Sequence, residues 1–167
     1  KFAQGRVDPV IKNSNIGVPV DVSNTALKQI GDSFIYFRGT WTDTEAISIP
    51  ADFVINDEID RSRPDIIQMY RERMSASKLK WLLKMSTSTF SDYGIDKDFK
   101  NSDQRLWIVP CPAGHLQVIR ESNIKGDNYV CMKCGKILDN KKGKWEAQKP
   151  GRPVVGYHIT QLMAPWI

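Results

Sequence analysis

The stretch that decides the fold is Asp52-Phe53-Val54-Ile55-Asn56, a short apolar run that leads directly into the acidic pair Asp57-Glu58. Such a run predicts a strand buried on both faces, as in a parallel sheet. A second strand is predicted over Trp81–Met85. Between the two, Pro64 can open a helix, because its missing N–H costs nothing in a first turn. Three residues at a spacing of four predict the buried face of that helix: Ile66, Tyr70 and Met74.

The sequence before this unit predicts less regular structure. Residues 1–32 are polar and interrupted by proline and glycine, which predicts a lead-in with one short helix near Ser23–Ile30. Ser33–Arg38 is rich in residues that favour strands, and Thr44–Ile49 predicts a helical turn. Alternating strands and helices predict an α/β domain with a parallel sheet.

The composition is that of a globular protein. Of 167 residues, 41% are hydrophobic and 26% charged, a balance that argues against disorder. No apolar run approaches the roughly 20 residues of a membrane helix, so we expect no membrane partner. The net charge of +5 favours polyanionic partners, although it also fits a merely basic surface. Three cysteines, an odd number, argue against a closed disulfide framework and for a reducing compartment.

The acidic pair has the chemistry of a nucleotide site. Ligands of open α/β sheets bind at the carboxyl ends of the strands. There Asp57 can hold the Mg²⁺ of a nucleoside triphosphate while Glu58 activates the attacking water. The segment Ser86-Thr87-Ser88-Thr89 follows the second strand and can sense the γ-phosphate. Either segment alone also fits an ordinary solvated turn or a helix cap, but the two together favour the nucleotide site.

A phosphate-binding loop is missing from these residues. The pattern G-x-x-x-x-G-K-[ST] does not occur, and Gly135-Lys136 and Gly143-Lys144 lack both its spacing and the following Ser or Thr. Either the chain is not an NTPase, or the loop lies upstream of Lys1, which the absent initiator Met favours. In the second case this piece alone should not hydrolyse ATP.

Cysteine and histidine residues form the pattern of a zinc knuckle. Cys111 and His115 give C-x3-H, and Cys131 and Cys134 give C-x2-C. Zn²⁺ takes four nitrogen or sulfur ligands in a tetrahedron, and the two-residue gap lets both thiolates of one turn reach one metal. Gly135 suits the left-handed turn that such a knuckle makes. The alternative is three free thiols and a surface histidine.

The knuckle predicts a small β-rich insertion over residues 108–150, within a main body formed by residues 1–107 and 151–167. A strand over Leu106–Val109 leads into it, and Val154–Thr160 predicts a strand that returns to the main body. The basic residues near its end can follow a phosphate backbone or form a solvated hairpin tip. They are Lys136, Lys141, Lys142, Lys144, Lys149 and Arg152.

Taken in order, these segments resemble the large terminase subunit of tailed phages, in the lambda-like, GpA-type branch. The resemblance rests on Pro50–Asp60, Ser86–Thr89, Ser102–Pro112, Tyr129–Gly135 and Gly156–Trp166. It implies an N-terminal packaging ATPase and a C-terminal nuclease, with this chain as the later part of a P-loop-NTPase-like parallel sheet.

The resemblance also implies roles and partners. Asp57 would be the aspartate that holds Mg²⁺ with ATP, Glu58 the catalytic base, and Ser86 and Thr87 the start of the motif that couples hydrolysis to DNA movement. The intact protein would pump double-stranded DNA into a procapsid in the host cytoplasm. Its partners would be a small terminase subunit and a portal protein, and it would work as a homo-oligomer.

The resemblance departs at the first half of the knuckle. Such terminases usually show C-P-x-C, whereas here Gly114 occupies the place of the second cysteine and His115 follows, which leaves the fourth ligand open. A superfamily 2 helicase is an alternative, because Asp57–Asp60 also reads as a DExD box, but a helicase would continue into a second RecA-like domain. A zinc-ribbon DNA-binding module would explain the knuckle and the lysines, but not the acidic strand.

Overall fold

The computed structural model describes residues 3–14, 20–47 and 49–163 and divides the chain into two compact units, Lys1–Met85 and Ser86–Ile167. Part of the predicted lead-in, residues 15–19, and the end of the resembling stretch, residues 164–166, lie outside the described residues. Both units mix helices with small sheets, so the α/β class is confirmed in this coarse form. In the described part of the chain, no helix is long and apolar enough to cross a membrane.

The first unit opens with a helical segment and a three-stranded antiparallel sheet. A π-helical turn over Ala3–Val7 continues into helix α1 (Asp8–Asn13). The sheet has the order β1-β2-β3. Its strands are β1 (Val20–Ser23), β2 (Leu27–Ile30) and β3 (Ser33–Tyr36).

The short helix predicted near Ser23–Ile30 is wrong, because β2 occupies this region. The side chain of Asn24 accepts hydrogen bonds from the N–H groups of Ala26 (2.9 Å) and Leu27 (2.8 Å), which closes the turn before β2. Gly31, with a φ of +56°, closes the hairpin to β3. Turn-forming residues on both sides therefore stop the chain from continuing as a helix.

The predicted strand–helix–strand unit follows. Its elements are α2 (Asp43–Ala46), β4 (Phe53–Asn56), a 3₁₀ turn (Ile59–Arg61), α3 (Pro64–Glu72) and β5 (Trp81–Lys84). Strands β4 and β5 run parallel, with Asn56 opposite Lys84. The predicted buried face is confirmed at Ile66 and Met74, and Tyr70 is half-buried and donates a hydrogen bond to the carbonyl oxygen of Gly39 at 2.8 Å.

The prediction that β4 is buried on both faces is wrong. Val54 and Asn56 are buried, but Phe53 and Ile55 are 49% and 55% exposed. The reason is the size of the sheet, since β4 and β5 form a two-stranded pair with one covered face. The described residues contain this single parallel pair, so the larger P-loop-like sheet stays a prediction.

The second unit is built on a different sheet. Helix α4 (Gly94–Asn101) precedes β6 (Arg105–Pro110), which lies between β10 (Lys144–Ala147) and β7 (Leu116–Val118) in an antiparallel sheet. A small hairpin joins β8 (Ile124–Lys125) to β9 (Asn128–Tyr129). The core cluster is small: Val109, Cys111, Ile119, Cys131 and Leu138.

The strand predicted over Val154–Thr160 is wrong: the only ladder pairing in this segment is one bridge, between Arg105 and Tyr157. Other hydrogen bonds hold the segment. Asp103 Oδ1 accepts the N–H of Gly156 (3.0 Å), and its Oδ2 accepts Nε of Arg105 (2.7 Å). The Gly156 N–H, which has the larger effect, and the Arg105 guanidinium both lower the pKa of the Asp103 carboxyl. Backbone hydrogen bonds also join Arg105 to Gly156 (2.7 Å) and to His158 (3.1 Å). The Asp103 carboxylate accepts the Gly156 N–H, and the Lys149 N–H donates to the Asp103 carbonyl oxygen (3.0 Å), so the ladder does not continue beyond one bridge.

Substitution of Gly156 by alanine is expected to destabilise the second unit by about 1–3 kcal/mol, the usual cost of overpacking. A Cβ atom there would lie 2.0 Å from Ser102 Oγ and 2.6 Å from Ser102 Cβ. Ser102 is buried and its hydroxyl donates to the carbonyl oxygen of Phe99, so it cannot easily move aside. Urea unfolding measures the change. Gly5→Ala is the control, because nothing lies within 4 Å of its added Cβ. Equal midpoints for the two variants would contradict the prediction.

Candidate nucleotide and metal sites

The acidic pair lies in the turn that follows β4. Asp57 and Glu58 are exposed, whereas the next two residues are buried. The turn is tied to β5 by two backbone hydrogen bonds: Met85 N–H donates to the carbonyl oxygen of Asn56 (2.8 Å), and Ile59 N–H donates to that of Met85 (3.3 Å). The turn is therefore fixed while both carboxylates stay accessible.

The backbone of Glu58 has a left-handed conformation, with φ +52° and ψ +44°. A residue other than glycine pays of order 1 kcal/mol for this conformation, and such strain concentrates at functional sites. Local hydrogen bonds hold it: Ser62 Oγ donates to the carbonyl oxygen of Glu58 (3.2 Å), and Thr40 Oγ1 donates to Ser62 Oγ (2.9 Å). The Asp57 side chain accepts the Glu58 N–H at 2.9 Å.

The hydroxyl segment, Ser86–Thr89, begins one residue beyond the end of β5. Ser86 is the residue after Met85, and its Oγ donates to the carbonyl oxygen of Thr87 at 3.2 Å. The coupling role of Ser86 and Thr87 stays a prediction.

Three thiols and one imidazole converge in the second unit. The ligand atoms of Cys111, His115, Cys131 and Cys134 all lie within 4.8 Å of one another. Sγ of Cys111 lies 3.8 Å from Sγ of Cys134, and His115 Nδ1 lies 3.5 Å and 3.6 Å from the sulfurs of Cys111 and Cys131. Tetrahedral zinc bonds of about 2.3 Å to sulfur and about 2.0–2.1 Å to nitrogen place two sulfurs about 3.8 Å apart, and sulfur and nitrogen about 3.5–3.6 Å apart. The four predicted ligands therefore fit zinc.

Two tight turns place these ligands. Gly114 N–H donates to the carbonyl oxygen of Cys111, and Gly135 N–H donates to that of Cys131, each at 2.8 Å. Both glycines are left-handed, with φ of +82° and +71°. The Cys111 sulfur accepts the backbone N–H groups of Ala113 and His115 at 3.3 Å each. Gly114, where the usual pattern has a cysteine, thus supplies the turn that brings His115 to the cluster.

The electrostatics of the cluster also suit a cation. Burial raises the pKa of the Cys131 thiol, but the nearby polar side chain of Gln117 and hydrogen bonds from the N–H groups of Lys133 and Cys134 outweigh burial and lower the pKa to about 6. At Cys134 the Lys136 N–H lowers the pKa, but burial and the neighbouring sulfurs outweigh it and raise the pKa. Three sulfurs this close cannot all be thiolates without a positive partner, and a divalent metal supplies one.

A comparison with protein families decides the identity. Residues 2–152 match the family described as phage terminase large subunit gpA, ATPase domain. The chain belongs to this family. The matched residues of the gpA ATPase domain include the acidic turn, the hydroxyl segment and the metal cluster, which favours the terminase over the helicase and the zinc-ribbon module. No curated protein and no solved structure matches the chain.

One residue at the sites of this gpA ATPase domain was missed by the sequence analysis. Gln117 lies beside the metal cluster, and its Oε1 accepts the N–H of Met132 at 3.3 Å. Its only sequence signal is its position two residues after His115.

The predicted basic cluster is exposed, but Arg152 donates to the carbonyl oxygen of Ser102 at 3.0 Å, which gives that arginine a structural contact.

Proposed function

We propose that this chain carries the catalytic carboxylates of the ATPase that packages phage DNA. The observation that carries the proposal is the rigid, strained turn at the end of β4, which leaves Asp57 and Glu58 exposed in a terminase ATPase domain. Mg²⁺ bound with ATP would neutralise phosphate charge. Asp57 would hold that ion, and Glu58 would accept the proton of the attacking water.

The coupling step is assigned to the hydroxyl segment. Backbone hydrogen bonds join Met85 to both ends of the acidic turn, at Asn56 and Ile59. Movement of this turn when the γ-phosphate leaves would therefore reach Met85 and the adjoining Ser86 and Thr87. These two residues begin the segment that couples hydrolysis to DNA movement.

The metal cluster has a structural role in this proposal. Cys111, His115, Cys131 and Cys134 would hold Zn²⁺ with four protein ligands and leave no open position for water, so the site would organise the fold and would not cleave DNA. The zinc site stabilises an insertion over residues 108–150, within an ATPase body that comprises residues 1–107 and 151–167.

The intact large subunit acts on double-stranded DNA in the host cytoplasm. It works as a homo-oligomer with a small terminase subunit and a portal protein, and its endonuclease activity resides in a separate C-terminal domain. The support for these partners is membership of the terminase large-subunit family.

The 167-residue chain alone is expected to bind ATP weakly or not at all, because its sequence has no phosphate loop and this loop supplies most phosphate contacts. Isothermal titration with Mg-ATP measures the binding. The complete large subunit is the reference, and it should bind ATP and hydrolyse it in a Mg²⁺-dependent reaction.

Two results would separate the parts of this proposal. Steady ATP turnover by the 167-residue chain would show that its residues form a whole nucleotide site. Absence of Mg²⁺-dependent turnover in the complete subunit would overturn the motor assignment itself.

A further inference from the structure

The side chain of Gln117 is held in one orientation beside the metal cluster. Its Oε1 accepts hydrogen bonds from Asn123 Nδ2 at 2.9 Å and from the backbone N–H of Met132 at 3.3 Å. An amide oxygen has two lone pairs, so both of its acceptor positions are used. A flipped carboxamide would place an NH₂ group against two donors, which excludes the opposite orientation.

The partner that holds Gln117 is itself rigid. Asn123 is 2% exposed. Its Nδ2 also donates to the carbonyl oxygen of Val130 (2.9 Å), and its Oδ1 accepts the N–H of Arg120 (2.9 Å). Val130 directly precedes the ligand Cys131. The two amide side chains therefore connect β7 to the turn that carries Cys131 and Cys134.

The other end of the Gln117 carboxamide is a buried donor without an acceptor. Among the described residues, Gln117 Nε2 is one of three buried side-chain polar atoms with no hydrogen-bond partner. Burying an amide N–H without an acceptor costs free energy, so such an atom calls for an explanation. The oxygen of the same carboxamide accepts the N–H of Met132, the residue that directly follows Cys131. The unpartnered donor therefore lies at the start of the turn that carries Cys131, whose sulfur becomes a thiolate when it binds a metal.

We propose that Gln117 is a positioning residue of the metal centre, which offers its Nε2 hydrogens to the Cys131 thiolate. This inference rests on the zinc site proposed above. A hydrogen bond to the ligand sulfur fixes its direction and withdraws part of its charge. Partners of metal ligands typically change metal affinity 10–100-fold when they are lost. Asn123 contributes indirectly, because the hydrogen bond from its Nδ2 holds the Gln117 oxygen in place.

The test uses the 167-residue chain with one equivalent of Zn²⁺, and competition with a chromophoric chelator measures the affinity. Gln117→Leu removes the donor, and we expect roughly 10–100-fold weaker Zn²⁺ binding. Gln117→Glu keeps the size and the acceptor oxygen that Asn123 and Met132 use, so the fold is retained, but it turns a carboxylate oxygen towards the thiolate. We expect it to bind Zn²⁺ at least as weakly as Gln117→Leu. Gln148→Leu is the matched control, because Gln148 is exposed and its side-chain amide donates to the backbone carbonyl oxygen of the nearby Glu146.

Cobalt substitution gives a readout that a merely structural role would not change. The thiolate-to-Co²⁺ charge-transfer band should shift in both Gln117 variants, because the Cys131 sulfur loses a hydrogen bond, and should stay in place in Gln148→Leu. Unchanged affinity and an unchanged band in both Gln117 variants would overturn the role of Gln117 and leave the zinc site standing. Failure of the unsubstituted chain to bind Zn²⁺ would overturn the zinc site and this inference together.

Discussion

Glu58→Gln in the complete large subunit is expected to lower the rate of ATP hydrolysis by about 10²–10⁴-fold, the usual contribution of a general base. The amide keeps the shape of the side chain, so the strained turn and Asp57, the proposed Mg²⁺ ligand, stay in place. ATP binding should therefore change little. Phosphate release measures the hydrolysis, and a fluorescent ATP analogue measures the binding.

Two further variants make this result specific. Glu72→Gln makes the same chemical change at an exposed position on α3 and should leave both quantities unchanged. Asp57→Asn should instead raise the Mg²⁺ concentration needed for half-maximal turnover, because it weakens the metal ligand. If Glu58→Gln hydrolyses ATP at the normal rate, Glu58 is not the base. If it loses ATP binding in proportion to hydrolysis, the turn has a structural role.

Removal of zinc is expected to unfold residues 108–150 and to leave the parallel pair β4–β5 intact. The hydrophobic core cluster described in the second unit has five buried residues, and two of them, Cys111 and Cys131, are ligands of the proposed zinc site. Such a core is too small to hold itself, whereas structural zinc supplies about 10–16 kcal/mol in small domains. Amide hydrogen exchange with and without a strong chelator measures the effect, segment by segment.

The expected pattern is a loss of protection in β6, β7 and β10 with unchanged exchange in β4 and β5. Cys111→Ser should reproduce this loss without chelator. All three cysteines of the chain belong to the cluster, so titration with a thiol reagent should count three reactive thiols after chelation and fewer before it. Exchange that the chelator does not alter would show that the small core is sufficient.

The strand–helix–strand unit and the metal ligands were predictable because their signals are local. Pro64 marks the start of α3, and the spacing of Ile66 and Met74 identifies its buried face. The C-x2-C turn brings Cys131 and Cys134 together because only two residues separate them in the chain. These patterns need no knowledge of distant contacts.

The wrong predictions depend on contacts that the local sequence does not contain. Leu27–Ile30 is a strand because of the turns on either side of it, and Ile55 is exposed because its sheet stops at two strands. Gln117 was missed since its role depends on Asn123, which meets it only after β7 and the following turn have folded. The predicted boundary of the insertion, residues 108–150, stays a prediction.

The left-handed turn at Gly114 limits how this metal site could have evolved. A single change of Gly114 to cysteine would give the usual C-P-x-C spacing, but it would put a side chain at a φ of +82°, where residues with a Cβ are strained. His115 would then compete with the new thiol for the same metal position. A change from the histidine ligand to the cysteine ligand without loss of stability therefore needs two substitutions together. One such pair is Gly114→Cys with His115→Gly, which places the glycine of the turn at position 115. Each single intermediate would be less stable than either end point, so lineages with histidine and lineages with cysteine at this site should rarely interconvert.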